Sequence, residues 1–232
     1  MQLLRKALGV LEALGAAGGA VSLAQLTRRV GLPKPTVYRI VRTLVDAGYA
    51  TQEPGSRAYA PTASLARLGR SGAALELRRR ALPLMERLHR KFNETVNLAV
   101  LEDTDVVYVH VVETTRPLRL MTRPDARDPF HSTSLGRAIA AFLPDLERSA
   151  LLARAPRRPA LEATLRAVRR RGWAEDREEN EPGVVCFGAP LLEEGRPVAA
   201  LSVTLPLVRL SAAREKQIVT QLLRAAGGGL AE

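Results

Sequence analysis

Arg39 and Arg42 stand three residues apart, with Lys34, Thr36, Tyr38 and Thr43 around them and Val37, Ile40, Val41 and Leu44 between. At 3.6 residues per turn the four apolar residues share one stripe, leaving cations and hydroxyls for the other face. An arginine fork can bond a guanine edge through two N–H groups, while lysine and hydroxyl groups suit phosphates and the threonine side chain can also meet thymine methyls. This is chemistry suited to reading a DNA major groove.

The flanking sequence can build a frame for such a helix. Leu3, Leu4, Ala7, Leu8, Leu11 and Leu14 recur at helical spacing up to Gly15 and Gly18-Gly19. Ser22-Leu-Ala-Gln25 has the form of a capping box and starts a short helix to about Val30. Gly31-Leu32-Pro33 reads as a tight turn, Pro35 suits the first turn of a helix, and Gly48 stops that helix after Ala47. Residues 49–52 and 57–60 read as short strands around Glu53-Pro-Gly-Ser56, a wing that places Arg57 within reach of a phosphate. Helix-turn-helix shapes also occur in proteins that never touch DNA, with Arg39 and Arg42 as a solvated face. Charge placement argues otherwise. Residues 1–92 hold 16 Lys and Arg against five Asp and Glu, whereas residues 93–232 hold 19 of each, so the whole excess of +11 lies in the first part. A polyanion-binding module joined to a neutral one explains that asymmetry better than a uniform arginine bias. One short helix reads few bases, so a two-fold symmetric DNA site is expected.

Totals remove other classes. No apolar run reaches the roughly 20 residues of a membrane span, and the N-terminus lacks the order of a secretory signal. A cytoplasmic protein is expected. The single cysteine, Cys186, excludes an intrachain disulfide; with His89, His110 and His131 scattered along the chain, no metal or other cofactor is expected.

The rest of the chain changes pattern. Residues 61–70 read as a short helix, 70–73 as a hinge, and a basic helical stretch through Arg78-Arg-Arg80 continues to Lys91, with Pro83 as a start or kink. Strands are expected at 95–101, 106–112, 118–121, 184–192 and 196–205, and helices at 134–143, 145–153, 159–171 and 211–226, closed by Gly227-Gly-Gly229. The fold class is α+β with a mainly antiparallel sheet. The division expected is 1–61 for the winged helix-turn-helix, 62–92 for linker helices and 93–232 for the second domain.

The segment from Ser22 to Leu44, with Gly-Leu-Pro-Lys-x-Thr-Val-x-Arg at 31–39 followed by Gly48-Tyr49, strongly resembles the IclR family of bacterial transcriptional regulators. Pro129–Ala138, Glu178–Pro190 and Val198–Thr204 extend the resemblance over nearly the whole chain. It implies that helix 34–47 enters the major groove, and that the second domain is GAF-like and binds a small carboxylate or aromatic metabolite. It further implies a dimer or tetramer. Backbone amides at Ser134 and Leu135 would hold the carboxylate, Asp176, Cys186, Ser202 and Thr204 would complete the polar wall, and Leu120, Met121 and Phe130 would supply the apolar one. Three departures make effector identity non-transferable: Thr204 replaces a usual serine, Ser134-Leu135 replace smaller residues, and Asp128 falls near a position often apolar.

Each of these residues also has a plainer reading. One of Ser132, Thr133 and Ser134 can simply cap a helix, Asp176 can cap a turn, and Cys186 can be a small buried hydrophobe. Cys186, His131 and Asp176 contain the ingredients of a nucleophilic enzyme, but a thiol inside an apolar strand is a poor nucleophile. A ligand-independent DNA-binding protein that uses its second half to oligomerise is a third alternative.

Overall fold

The computed structural model describes residues 2–156 and 158–228, with the backbone course alone for 66–71. It divides into two compact units, 1–75 and 76–232.

The first unit holds α1 (Gln2–Gly15), α2 (Leu23–Val30), α3 (Lys34–Asp46) and a two-stranded sheet of β1 (Ala50–Gln52) and β2 (Tyr59–Pro61). The expected capping box is present: Ser22 Oγ accepts from Gln25 N–H at 3.3 Å, and Gln25 Oε1 accepts from Ser22 N–H at 2.9 Å. Gly31 ends α2 at φ 65°, a left-handed conformation that glycine adopts without steric cost. Val10, Leu14, Leu26, Val37, Ile40, Val41 and Tyr59 form one core, so the apolar stripe of α3 is buried as its spacing requires. The wing strands lie later in the chain than expected: 57 and 58 belong to the turn, and Glu53 N–H donates to the Ala58 carbonyl.

A single helix, α4 (Ala63–Phe92), occupies the stretch for which a hinge at 70–73 and a start or kink at Pro83 are expected. An isolated helical glycine such as Gly72 costs only about 1 kcal/mol. Beyond it, Ala81, Leu84, Met85, Leu88 and Phe92 hold one apolar stripe across Pro83 against the core. Arg79 pairs with Glu76 and Arg80 with Glu193, so two cations of the triple arginine are engaged within the second unit.

The second unit is a six-stranded antiparallel sheet in the order β5-β4-β3-β8-β7-β6. Its strands are β3 (Thr95–Glu102), β4 (Asp105–Val112), β5 (Arg127–Pro129), β6 (Ala174–Arg177), β7 (Val184–Glu193) and β8 (Arg196–Pro206). Alternation along β3, β7 and β8 separates two layers. Val96, Leu98, Val185, Phe187, Leu201 and Val203 face the second half of α4 and α8 (Ala212–Gly227). Ala99 and Ala200 face α5 (Ser134–Phe142), α6 (Asp145–Ala153) and α7 (Arg158–Arg171). Gly227 closes α8 as expected; Gly229 lies outside the described residues.

Two strands depart from expectation. Residues 118–121 are not a strand; the third strand of that side is β5 at 127–129, paired with β4. The Leu118 carbonyl accepts from Arg209 Nη1 at 2.8 Å, so a side chain takes the bond a strand neighbour would have made. The four-residue β6, too short to show a clear alternation, was not expected and carries Asp176.

Candidate nucleic-acid interface and ligand pocket

Burying Val37, Ile40 and Val41 leaves Lys34, Tyr38, Arg39, Arg42 and Thr43 exposed on α3, with Thr36 half-buried. Arg39 and Arg42 lie near the middle of the outer face with Pro35 and Asp46; Lys34 and Tyr38 border it on one side, Thr36 and Thr43 on the other. Thr43 Oγ1 donates to the Arg39 carbonyl at 3.0 Å. On that second side Thr36, Arg39 and Thr43 border an apolar cleft of about 250 Å³ floored by Leu3, Ala7, Ile40 and Leu44. Leu3, Leu4 and Leu8 of α1 are exposed. Arg57 is exposed in the wing turn at φ 51°, its carbonyl accepting from Gln52 Nε2 at 3.3 Å.

The second cluster lies on the α5 side of the six-stranded sheet, and strand register builds it. One row across the sheet is Asp176, Cys186, Thr204 and Thr95; the next is Ala174, Gly188, Ser202 and Asn97. Residues two apart on a strand share a face, so Cys186 and Gly188, like Ser202 and Thr204, point the same way. Gly188 lets the first turn of α5 lie close to the sheet: a Cβ there would stand 2.7 Å from the Ser134 carbonyl oxygen and 3.1 Å from Leu135 N. Thr133 caps α5 by accepting from Gly136 N–H at 3.1 Å, so the capping role falls to it among the three hydroxyl residues.

The resulting cavity is lined by Leu120, Ser134, Leu135, Asp176, Cys186, Ser202 and Thr204, all expected, and by Asn97, Tyr108, Thr122, Thr133, Asn180, Glu181 and Val184, which were not singled out as pocket residues. Period-two alternation on β3 and β4 could have pointed to Asn97, a lone amide among apolar residues, and Tyr108. Two expected wall residues lie elsewhere. Met121 is 60% exposed, and Phe130 is buried in the core, its backbone close against Gly136. Asp128, noted as a departure, accepts from Tyr108 Oη at 2.9 Å. The free space is about 10 Å³, room for roughly one water. Segment 113–126, which carries Leu120 and Thr122, and the 178–183 loop, which carries Asn180 and Glu181, are parts of the wall outside the sheet and the helices.

No Lys, Arg or His lines the cavity among the described residues, whereas Asp176 and Glu181 do. Burial raises Asp176 above the ordinary carboxylate range, and the N–H groups of Glu179 and Asn180, which its Oδ1 accepts at 3.0 and 3.2 Å, oppose that shift. Asp176 therefore does cap a turn while facing the cavity. Burial, with the nearby Asp176 charge, pushes the Cys186 thiol up to about 12, against the Thr204 hydroxyl that donates to its sulfur at 3.2 Å. Such a thiol is protonated and unreactive near neutral pH. His131 does not line this cavity; it stacks edge-on against Phe130, and its carbonyl accepts from Arg137 Nε.

Comparison with known proteins identifies a domain in each half of the chain. The profile of the IclR helix-turn-helix domain matches residues 3–54, and that of the C-terminal domain of bacterial transcriptional regulator IclR matches residues 71–228. The chain is 32% identical to the HTH-type transcriptional regulator KdgR of Escherichia coli, over 95% of this chain and 88% of that one. It is 35% identical to the glycerol operon regulatory protein of Streptomyces griseus, over 90% and 87%. A solved IclR homologue from Microbacterium hydrocarbonoxydans, complexed with 4-hydroxybenzoate, superposes with a TM-score of 0.62 at 28% identity, covering 97% of this chain and 96% of that one. These are regulators, not enzymes, and among the described residues no helix is long and apolar enough to cross a membrane. With its helix-turn-helix, wing and antiparallel six-stranded domain, this chain belongs to the IclR family of DNA-binding bacterial transcriptional regulators.

Proposed function

We propose that the chain is a ligand-responsive regulator whose operator binding changes when a small carboxylate occupies the cavity beneath α5. The carrying observation is convergence: the first turn of α5, Asp176, Cys186, Ser202 and Thr204 reach one cavity from four separate elements. Amides in a helix's first turn attract an anion, and with no cation in the wall among the described residues they are its main attraction for a carboxylate. Leu120 and Leu135 supply the apolar contact. That a relative of this fold was solved in complex with 4-hydroxybenzoate supports a small acid as the ligand.

On DNA, Arg39 and Arg42 read base edges, Lys34, Thr36, Tyr38 and Thr43 contact the backbone or thymine methyls, and Arg57 on the wing contacts a phosphate. The working division is 1–61 for DNA binding, 62–92 as linker, the second half of which packs into the core of the effector unit, and 93–232 for the remainder of that unit. The exposed leucines of α1 support a homo-oligomer, a dimer or tetramer, which would present two recognition helices to a palindromic operator.

The test has two stages. DNA selected from a random pool by the full chain should contain two related half-sites. Pyruvate, glycerate, gluconate, benzoate and 4-hydroxybenzoate are then titrated against the protein–DNA complex. At least one should change DNA affinity in the wild type and fail to do so in Ser202→Ala. An asymmetric single site, or an acid response unaltered by Ser202→Ala, counts against the corresponding half of the proposal.

A further inference from the structure

Asn97 is 2% exposed and lines the cavity from β3. Its Nδ2 donates to Ser202 Oγ at 3.2 Å and to Thr204 Oγ1 at 3.1 Å. Its Oδ1 is buried and has no hydrogen-bond partner among the described residues. A buried carboxamide oxygen left unpaired costs the desolvation of a strong acceptor. Such a group in a cavity is a recognition element waiting for a donor.

Its neighbours narrow the donor's chemistry. Thr204 spends its hydroxyl hydrogen on Cys186. Ser202 accepts from Asn97 and has no acceptor of its own among the described residues, so one hydroxyl hydrogen also stays unspent. One unmet acceptor and one unmet donor thus lie within a single side chain of each other. A carboxylate oxygen could only accept, and an aromatic edge or methyl could satisfy neither. A ligand hydroxyl both donates and accepts, so it alone meets the carboxamide oxygen and the Ser202 hydroxyl together.

We infer that Asn97 and Ser202 form a hydroxyl-binding subsite, and that the effector is a compact hydroxy acid rather than a plain or aromatic acid. This rests on the cavity being the effector site. The ligand's carboxylate lies at the first turn of α5, and its hydroxyl donates to Asn97 Oδ1 while accepting from Ser202 Oγ. The water-sized free space favours a short ligand, since each added carbon must displace more of the wall. Buried polar groups left unpaired by the wrong ligand are also what give a hydrogen-bonding site its strongest discrimination.

The test measures binding of matched acids to the full chain by calorimetry. Glycolate, lactate, glycerate and gluconate are set against acetate, propionate and hexanoate, with benzoate as the aromatic arm. The wild type should bind at least one hydroxy acid about ten-fold more tightly than its deoxy partner. Asn97→Ala should reduce that preference by about three- to ten-fold while leaving affinity for the deoxy acid nearly unchanged. Asn97→Ser, which restores a short polar group, controls for misfolding, and both variants must keep the wild-type affinity for selected DNA. If acids bind and compete but show no hydroxyl preference, or the preference survives in both variants, the subsite is refuted and the effector site stands. If benzoate binds most tightly and Asn97→Ala does not weaken it, the aromatic reading replaces this one. If no acid binds at all, the cavity is not an acid site and both readings fall.

Discussion

Gly188 lies under the first turn of α5 so closely that any Cβ at this position would stand 2.7 Å from the carbonyl oxygen of Ser134. The atoms it would meet are backbone, so no rotamer change relieves the clash. This one glycine sets how near the helix amides come to Cys186 and Ser202 on the sheet. Gly188→Ala should lower stability by about 1–3 kcal/mol and abolish the acid response, while DNA binding without acid stays near the wild-type value. Urea unfolding and an acid titration of the protein–DNA complex check the two halves. A variant that unfolds like the wild type and still responds would mean α5 can lift away freely.

Arg39 and Arg57 both present a guanidinium to solvent, from different elements. Arg39→Ala should cost about 1–3 kcal/mol and relax selectivity at one base position. Arg57→Ala should weaken all sequences alike and reduce the salt dependence of binding by about one counterion. Binding to a set of single-base operator variants at several salt concentrations separates the two. Equal, sequence-blind losses would make Arg39 a phosphate contact.

Burial raises the carboxyl of Asp176, so the folded chain holds a proton there over a range where the unfolded chain has lost it. That range begins near the ordinary aspartate value of about 4 and ends at the raised one. Because the folded state binds more protons in this window, stability falls as pH rises through it. Asp176→Asn should flatten that part of the stability profile, read as denaturation midpoints at successive pH values. Identical slopes in both proteins would show that the carboxyl stays ionised when folded.

Glu94 is fully buried and accepts from Arg209 Nε and Nη2 and from Arg214 Nη2, at 2.9, 2.5 and 2.9 Å. Arg209 also holds the Leu118 carbonyl, which roots segment 113–126 to the rest of the domain. Removing one partner of such a cluster leaves cations facing a poorly solvated gap. Glu94→Ala should cost about 3–5 kcal/mol and speed proteolysis of segment 113–126. If limited digestion of the folded variant matches the wild type, the segment is anchored by other bonds.

Much of the first unit was legible because its signals are local. The capping box of Ser22 and Gln25, Gly31 and Gly48 at their stops, and the stripe of Val37, Ile40 and Val41 each need only neighbours within a few residues. Charge placement and the motif at 31–39 then pointed to DNA. The identities of Ser134, Cys186, Ser202 and Thr204 were also within reach of motif and alternation. What tertiary structure alone decided was which of them meet. Two register rows across β6, β7, β8 and β3 bring Asp176 and Asn97 to the same cavity from positions 79 residues apart in sequence. A non-local pairing of that kind leaves no periodicity to read. For the same reason Leu118–Met121 has the composition of a strand but spends the Leu118 carbonyl on a guanidinium from residue 209. Phe130, apolar and inside the motif Pro129–Ala138, is drawn instead into the core against Gly136. Side-chain type is written along the chain, but whether a polar atom ends up paired or orphaned depends on partners that only packing brings into range.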